Sequence, residues 1–214
     1  MNKSISINDV VSMVKDGMKL MIGGFLANGT PESIVDALVK SGVKDLTIIA
    51  NDTAFPEKGL GKLVANKQVK KVITSHIGTN AATIEQLNAK ELEIEFSPQG
   101  TLAERVRAGG SGLGGVLTAT GLGTIVADGK EIINVDGKDF ILEKPLRADI
   151  AFIGASISDK EGNLVYLGTS KNFNPLMAMA ADTVVVEAKE IVEVGTISME
   201  QVHTPAIFVD HILQ

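Results

Sequence analysis

The sequence predicts an α/β fold: a mainly parallel sheet flanked by helices, with an antiparallel hairpin around residues 131–143. Three observations carry this. Apolar runs at 20–22, 46–50, 150–153 and 183–186 are short and nearly unbroken, as strands covered on both faces are. Helical stretches separate the strands, which gives βαβ units and therefore parallel pairing. Asp136-Gly137, between two strand-like runs, asks for positive φ and marks a tight hairpin turn.

The chain opens on a short helix over 8–15. Asp16-Gly17 is a turn pair, and 20–22 is the first buried strand. Gly23 and Gly24 then remove side chains where that strand ends, so backbone can approach another surface closely. Thr30-Pro31 reads as N-cap and first residue of a helix over 31–40, with Ile34, Ala37, Leu38 and Val39 as its apolar face and Gly42 ending it. Strand 46–50 leads into the polar turn Asn51-Asp52-Thr53. Helix 60–65, strand 71–74 ending at Ser75-His76, helix 83–89 and strand 92–96 follow. Thr101 and Glu104 have the spacing of a capping box, which starts a helix over 101–107. A glycine-rich run over 109–123 precedes hairpin arms at 131–135 and 138–142. Strand 150–153, a helix from Asn174-Pro175 to 181, strand 183–186 and a final strand 206–209 complete the order. No repeat or composition break divides the chain, so a single domain over 1–214 is expected.

Composition excludes several classes. With 44% hydrophobic residues among 214, the chain can bury a sizeable core, which rules against disorder. A net charge of -6 argues against a nucleic-acid partner, and 4% aromatics without tryptophan leave no base-stacking platform. There is no cysteine, hence no disulfide, thiol nucleophile or thiolate metal site. The N-terminal residues lack the apolar core of a signal peptide, and no run approaches the roughly 20 residues that span a bilayer. A soluble cytoplasmic protein without a membrane partner is expected. The three histidines share no ligand spacing, so no metal is expected.

The residues alone leave the site open. A strand–glycine loop–helix aims free N–H groups and a positive helix end at whatever lies beyond the strand, which suits an anionic or carbonyl-bearing ligand. It equally suits a tight βα connection. Gln99 follows a strand, where its amide can serve an oxyanion or bond its own turn. His76 also ends a strand; a hydrogen-bonded structural histidine is the favoured reading. Gly110-Ser111-Gly112-Leu113-Gly114-Gly115 fits G-x-G-x-x-G but follows a helix, so a nucleotide-binding oxidoreductase is a weak alternative and a mobile surface or interface loop the stronger one. Asp52, Glu104 and Glu187 are single carboxylates, with Glu104 assigned to capping. Arg105 and Arg107 read as a solvated helix face, and Met177 and Met179 as core.

A longer pattern narrows this. Asp16-Gly17, two residues, Leu20-Met21-Ile22, Gly23-Gly24-Phe25, three residues, Gly29, one residue and Pro31 resembles the N-terminal motif of the α subunit of family I coenzyme A-transferases. The resemblance continues through 48–53, Ser97-Pro98-Gln99-Gly100-Thr101-Leu102, 107–115 and Lys171-Asn172-Phe173-Asn174-Pro175, and so covers nearly the whole chain. Within the family it points to the bacterial acetate/butyrate–acetoacetate type. It implies that Gly24, Phe25, Leu26, Ala27, Asn28, Gly29 and Thr30 bind CoA, and that Gln99 belongs to the oxyanion hole. CoA is then a substrate, with no resident cofactor. The resemblance also implies a β subunit, in an α2β2 heterotetramer, which carries a nucleophilic glutamate in a Ser-Glu-Asn-Gly motif. No Ser-Glu pair occurs in this sequence. A non-catalytic binding or regulatory domain on a similar fold is the remaining alternative.

Overall fold

The computed structural model describes residues 3–214. In chain order it forms β1 (Ser4–Ile5), α1 (Ile7–Met13), β2 (Lys19–Ile22), α2 (Glu32–Ser41), β3 (Leu46–Ile49), α3 (Gly61–Ala65), β4 (Val69–Thr74), α4 (Ala81–Asn88), β5 (Glu93–Phe96) and α5 (Gln99–Gly110). Then come β6 (Val116–Thr118), β7 (Ile132–Val135), β8 (Lys138–Glu143), β9 (Ala148–Asp159), β10 (Leu164–Val165), α6 (Asn174–Met177), β11 (Ala181–Val192) and β12 (His211–Leu213). The main sheet runs β1-β12-β11-β9-β2-β3-β4-β5, with β10 folded back antiparallel on β9. Its other pairings are parallel.

Successive side chains leave a strand on opposite faces, so an unbroken apolar run fills two cores at once. Leu20, Ile22, Ile48 and Phe152 enter one core with Ile34, Leu38 and Leu63 of α2 and α3. Met21, Ile49, Ala151 and Ile153 enter the other with Leu102 and Val106 of α5 and Met177 of α6. The result is the expected parallel sheet with helices on both faces. From β2 the sheet grows through β3 to β5 on one side, and from β9 through β11 and β12 on the other. The order therefore reverses between β2 and β9, and the crevice at the carboxyl ends beside that point is where such sheets bind ligands.

Several expectations are corrected. The helix after the glycine loop is not capped by Thr30: Pro31 takes the cap position without a side-chain hydrogen bond. Instead Glu187 of β11 accepts N–H groups from Ser33 (3.0 Å) and Ile34 (3.1 Å). A carboxylate of the chain itself thus neutralises the positive end of α2. Glu187→Ala is expected to lower stability by about 1–2 kcal/mol, read as a fall in thermal midpoint, because two helix donors lose their acceptor.

The helix placed at 101–107 begins at Gln99, with Pro98 at the cap, so Thr101 and Glu104 do not form a capping box. Glu104 pairs with Arg107 at 3.0 Å on the solvent face. Arg105 is buried rather than solvated. It pairs with Glu95 of β5 at 2.9 Å and donates to the Lys144 carbonyl at 3.0 Å. Burial pushes the Glu95 carboxyl up, but Arg105 and Lys71 outweigh it and hold the group below its ordinary pKa.

The hairpin stands as expected, with Asp136 at φ +50° and Gly137 at +79°. The glycine-rich run is not a bare loop. It contains β6, which completes a three-stranded sheet in the order β6-β8-β7. The G-x-G-x-x-G glycines thus join a helix to a strand, the reverse of a dinucleotide site. The helix expected to reach 181 ends at Met177, because Ala181 already pairs with Ala148 and opens β11. Residues Ala206–Phe208 form a 3-10 turn, and the last strand is β12, between β11 and β1. Ile207 is 85% exposed, so that apolar run had no face to bury. No helix among the described residues is long and apolar enough to cross a membrane, and none of their His, Asp and Glu side chains cluster as a metal site.

Candidate active site

The glycine loop leaves β2 at the point where the strand order reverses. Phe25 and Asn28 exchange backbone hydrogen bonds (3.0 and 2.9 Å) around a two-residue turn. Its central residues, Leu26 (φ +47°) and Ala27 (φ +68°), are left-handed although neither is glycine. That conformation costs roughly 1–2 kcal/mol per residue and persists only where surroundings enforce it. Here they do. Leu26 N–H donates to Asp52 Oδ2 (3.0 Å), Gly24 N–H to Asn172 Oδ1 (3.3 Å), Asn172 Nδ2 to the Asn28 carbonyl (3.0 Å) and Asn174 Nδ2 to the Gly29 carbonyl (3.0 Å).

These bonds revise the picture of an open cradle of donors. From Gly23 to Thr30, only Ala27 and Gly29 keep N–H groups without a partner among the described residues. A side chain at Gly23 would run into Asn174, and one at Gly24 (φ +138°) into the Thr30 hydroxyl. Close packing therefore requires these glycines as much as any ligand could.

A cleft of about 420 Å³ opens at the ends of β2, β3 and β4, lined by Phe25, Leu26, Asn51, Asp52, Ser75, His76, Thr79 and Gln99. Three of its polar side chains, Asp52, Asn51 and Gln99, form one ordered chain. Asp52 is 4% exposed and accepts Leu26 N–H, Ala54 N–H (2.8 Å) and Asn51 Nδ2 (2.6 Å). A carboxylate only accepts, so the Asn51 amide must turn its NH₂ toward Asp52 and its oxygen away. That oxygen receives Gln99 Nε2 at 2.7 Å. Gln99, the first residue of α5, therefore has a fixed amide orientation. One N–H is held by Asn51 and the second is left for the cleft. The chain from Leu26 through Asp52 and Asn51 to Gln99 ties the glycine loop to the α5 start.

The cleft's one carboxylate, Asp52, is buried with both oxygens engaged, so it is a scaffold and a poor nucleophile. His76 is exposed, and its ring makes no hydrogen bond among the described residues, which corrects the reading of a structural histidine. His203 does take a structural part: its Nδ1 accepts Tyr166 N–H at 3.0 Å, and burial lowers its pKa. Ala27, Asn28, Gly29 and Thr30 line a second cleft, on the β9 and β11 side, with Ser170, Glu187 and Lys189. The loop thus brings Phe25 and Leu26 together with Gln99 and turns its remaining residues to the other side. Asn51, Asp52 and Asn172 carry the geometry, yet sequence reasoning gave them no role. The signal was a polar triplet directly after a buried strand.

A profile of the coenzyme A transferase family matches residues 4–214. The chain is 53% identical to the acetoacetyl-CoA:acetate/butyrate CoA transferase alpha subunit of Clostridium acetobutylicum, over 100% of this chain and 98% of that one. It is 49% identical to the acetate CoA-transferase subunit alpha of Escherichia coli, over 99% and 96%. Among solved structures, an acyl-CoA transferase of Escherichia coli O157:H7 in a thioester complex with CoA superposes with a TM-score of 0.87 at 21% identity. That match covers 99% of this chain and 47% of the other, so the chain spans about half that protein's length. Glutaconate coenzyme A-transferase from Acidaminococcus fermentans superposes at 0.86 with 20% identity, over 99% and 75%. At such identities the likeness is one of fold.

Proposed function

The chain belongs to the coenzyme A transferase family, and from that premise we propose that it is the α subunit of a heteromeric enzyme that moves CoA between a short-chain acyl-CoA and a carboxylic acid. Acetoacetate with acetate or butyrate is the pair its relative's name supports. The observation that carries the reading is end-to-end identity with a chain named as an α subunit. The cleft accounts for the need of a partner, because its one carboxylate is engaged as a scaffold.

In this reading the β subunit's glutamate attacks the thioester carbonyl, and the carbonyl electron pair moves onto oxygen. Collapse expels CoA thiolate and leaves an acyl-glutamyl anhydride. The thiolate then attacks the glutamyl carbonyl, releasing the first acid and leaving a glutamyl-CoA thioester, and the second acid reverses the sequence. The Gln99 N–H not held by Asn51 donates to the oxyanion that forms at each addition. The loop from Gly24 to Thr30 borders the CoA path, with the free N–H groups of Ala27 and Gly29 as donors to it. CoA is a substrate, and two α and two β chains form the assembly.

The test is reconstitution with a β subunit that carries the Ser-Glu-Asn-Gly motif. Acyl exchange is expected only when both chains are present; exchange by rigorously β-free protein would overturn the reading. In the complex, Gly24→Val is expected to weaken apparent acyl-CoA affinity by about ten-fold. A branched side chain strains a position at φ +138° and displaces Thr30. Kinetics unchanged from wild type would remove the loop from the CoA path.

A further inference from the structure

The donors of the cleft can be accounted for one by one. The Ser75 hydroxyl donates to the Asn51 carbonyl at 2.7 Å, and the Thr79 hydroxyl to the Ala54 carbonyl at 2.8 Å. Asn51 donates to Asp52, and Asp52 only accepts. Phe25 and Leu26 present apolar side chains. Among the described residues three lining side chains keep a donor: Gln99 and Asn51, each through its second amide N–H, and His76 through its ring; Asn51 is buried at 1% exposure, which leaves Gln99 and His76 as the exposed ones. The imidazole also occupies space that only a glycine at 78 leaves open. A Cβ added to Gly78 would lie 2.9 Å from His76 Cε1 and 3.1 Å from Nε2, so the ring rests where a side chain at 78 would be. Gly78 does not have the positive φ that would make glycine a backbone requirement.

We propose that His76 is a specificity-determining residue that donates a hydrogen bond to the 3-oxo oxygen of an acetoacetyl group, with Gly78 leaving room for the ring. This rests on the CoA-transferase reading and deepens it. An acetoacetyl group has two carbonyls separated by one carbon; a butyryl group has only the reacting one. The second oxygen gives up water on entering the cleft, and an unpaired polar oxygen there is costly. Gln99 serves the reacting carbonyl, so the second oxygen needs another donor. A site built around such a donor separates ketone from methylene far better than shape alone does.

The experiment compares kcat/KM for acetoacetyl-CoA and butyryl-CoA, each with acetate as acceptor, in the reconstituted complex. His76→Ala is expected to lower the acetoacetyl-to-butyryl ratio about ten-fold or more. His76→Gln, which keeps a donor, recovers part of it. Gly78→Ala, which only displaces the ring, lowers the ratio in the same direction. A ratio within two-fold of wild type for both His76→Ala and Gly78→Ala, in complexes that co-elute intact, would overturn the assignment, as would an equal loss for both acyl groups. A wild-type complex that turns over neither acyl-CoA would overturn the functional reading itself.

Discussion

Gln99→Ala in the assembled complex is expected to lower kcat by about 10²–10³, or roughly 3–4 kcal/mol, while KM changes far less. Only interactions stronger in the transition state than in the ground state accelerate the chemical step. An amide aimed at a developing oxyanion is of that kind. In the proposed role its aim comes from Asn51 Oδ1, which receives one Gln99 N–H at 2.7 Å and leaves the other without a partner among the described residues. Asn at this position keeps the amide but shortens its reach, so it should recover little. Gel filtration must first show the complex intact, because the α5 start is exposed and could touch the β subunit. Turnover within a few-fold of wild type would make Gln99 a helix-start residue and nothing more.

Asp52→Ala should produce the largest loss of stability, about 3–4 kcal/mol, with a fall in thermal midpoint of about 6–16 °C. Three donors lose one acceptor: Leu26 N–H, Ala54 N–H and Asn51 Nδ2. Leu26 and Ala27 are left-handed against their preference, and the Leu26–Asp52 bond helps hold them there. Release of that bond lets the turn relax, and release of Asn51 frees the orientation of Gln99. Activity should therefore fall together with stability. Asp52→Asn keeps the shape but offers one acceptor oxygen, so it should fall between wild type and alanine in both. An alanine variant as stable as wild type would show that the loop is held by Asn172 and Asn174 without Asp52.

What could be read from the sequence was what short-range physics determines. The apolar runs of β2, β3 and β9 announced strands buried on both faces because each fills two cores. Asp136-Gly137 announced its turn because positive φ is a local requirement. What stayed hidden depends on partners far along the chain. Thr30-Pro31 looked like a cap, yet the acceptor for α2 is Glu187, more than 150 residues away. Arg105 looked solvated because nothing local places Glu95 and Lys144 beside it. The site was half legible. The glycine loop and Gln99 stood out through a family motif, whereas Asn51 and Asp52 looked like an ordinary turn until the sheet order brought them between the two. His76 was visible as a strand-end histidine, but that its ring has no partner shows only once the hydrogen bonds of its neighbours are traced.

The central claim is that this chain builds the cleft and aims the amide while the reacting carboxylate belongs to the partner. The direct measurement is to incubate the reconstituted complex with acyl-CoA alone, separate the two chains under denaturing conditions and weigh each for a covalently attached CoA. The expected result is a CoA thioester on a glutamate of the β subunit and an unmodified α chain. A CoA thioester on a carboxylate of this chain, Asp52 above all, would contradict it.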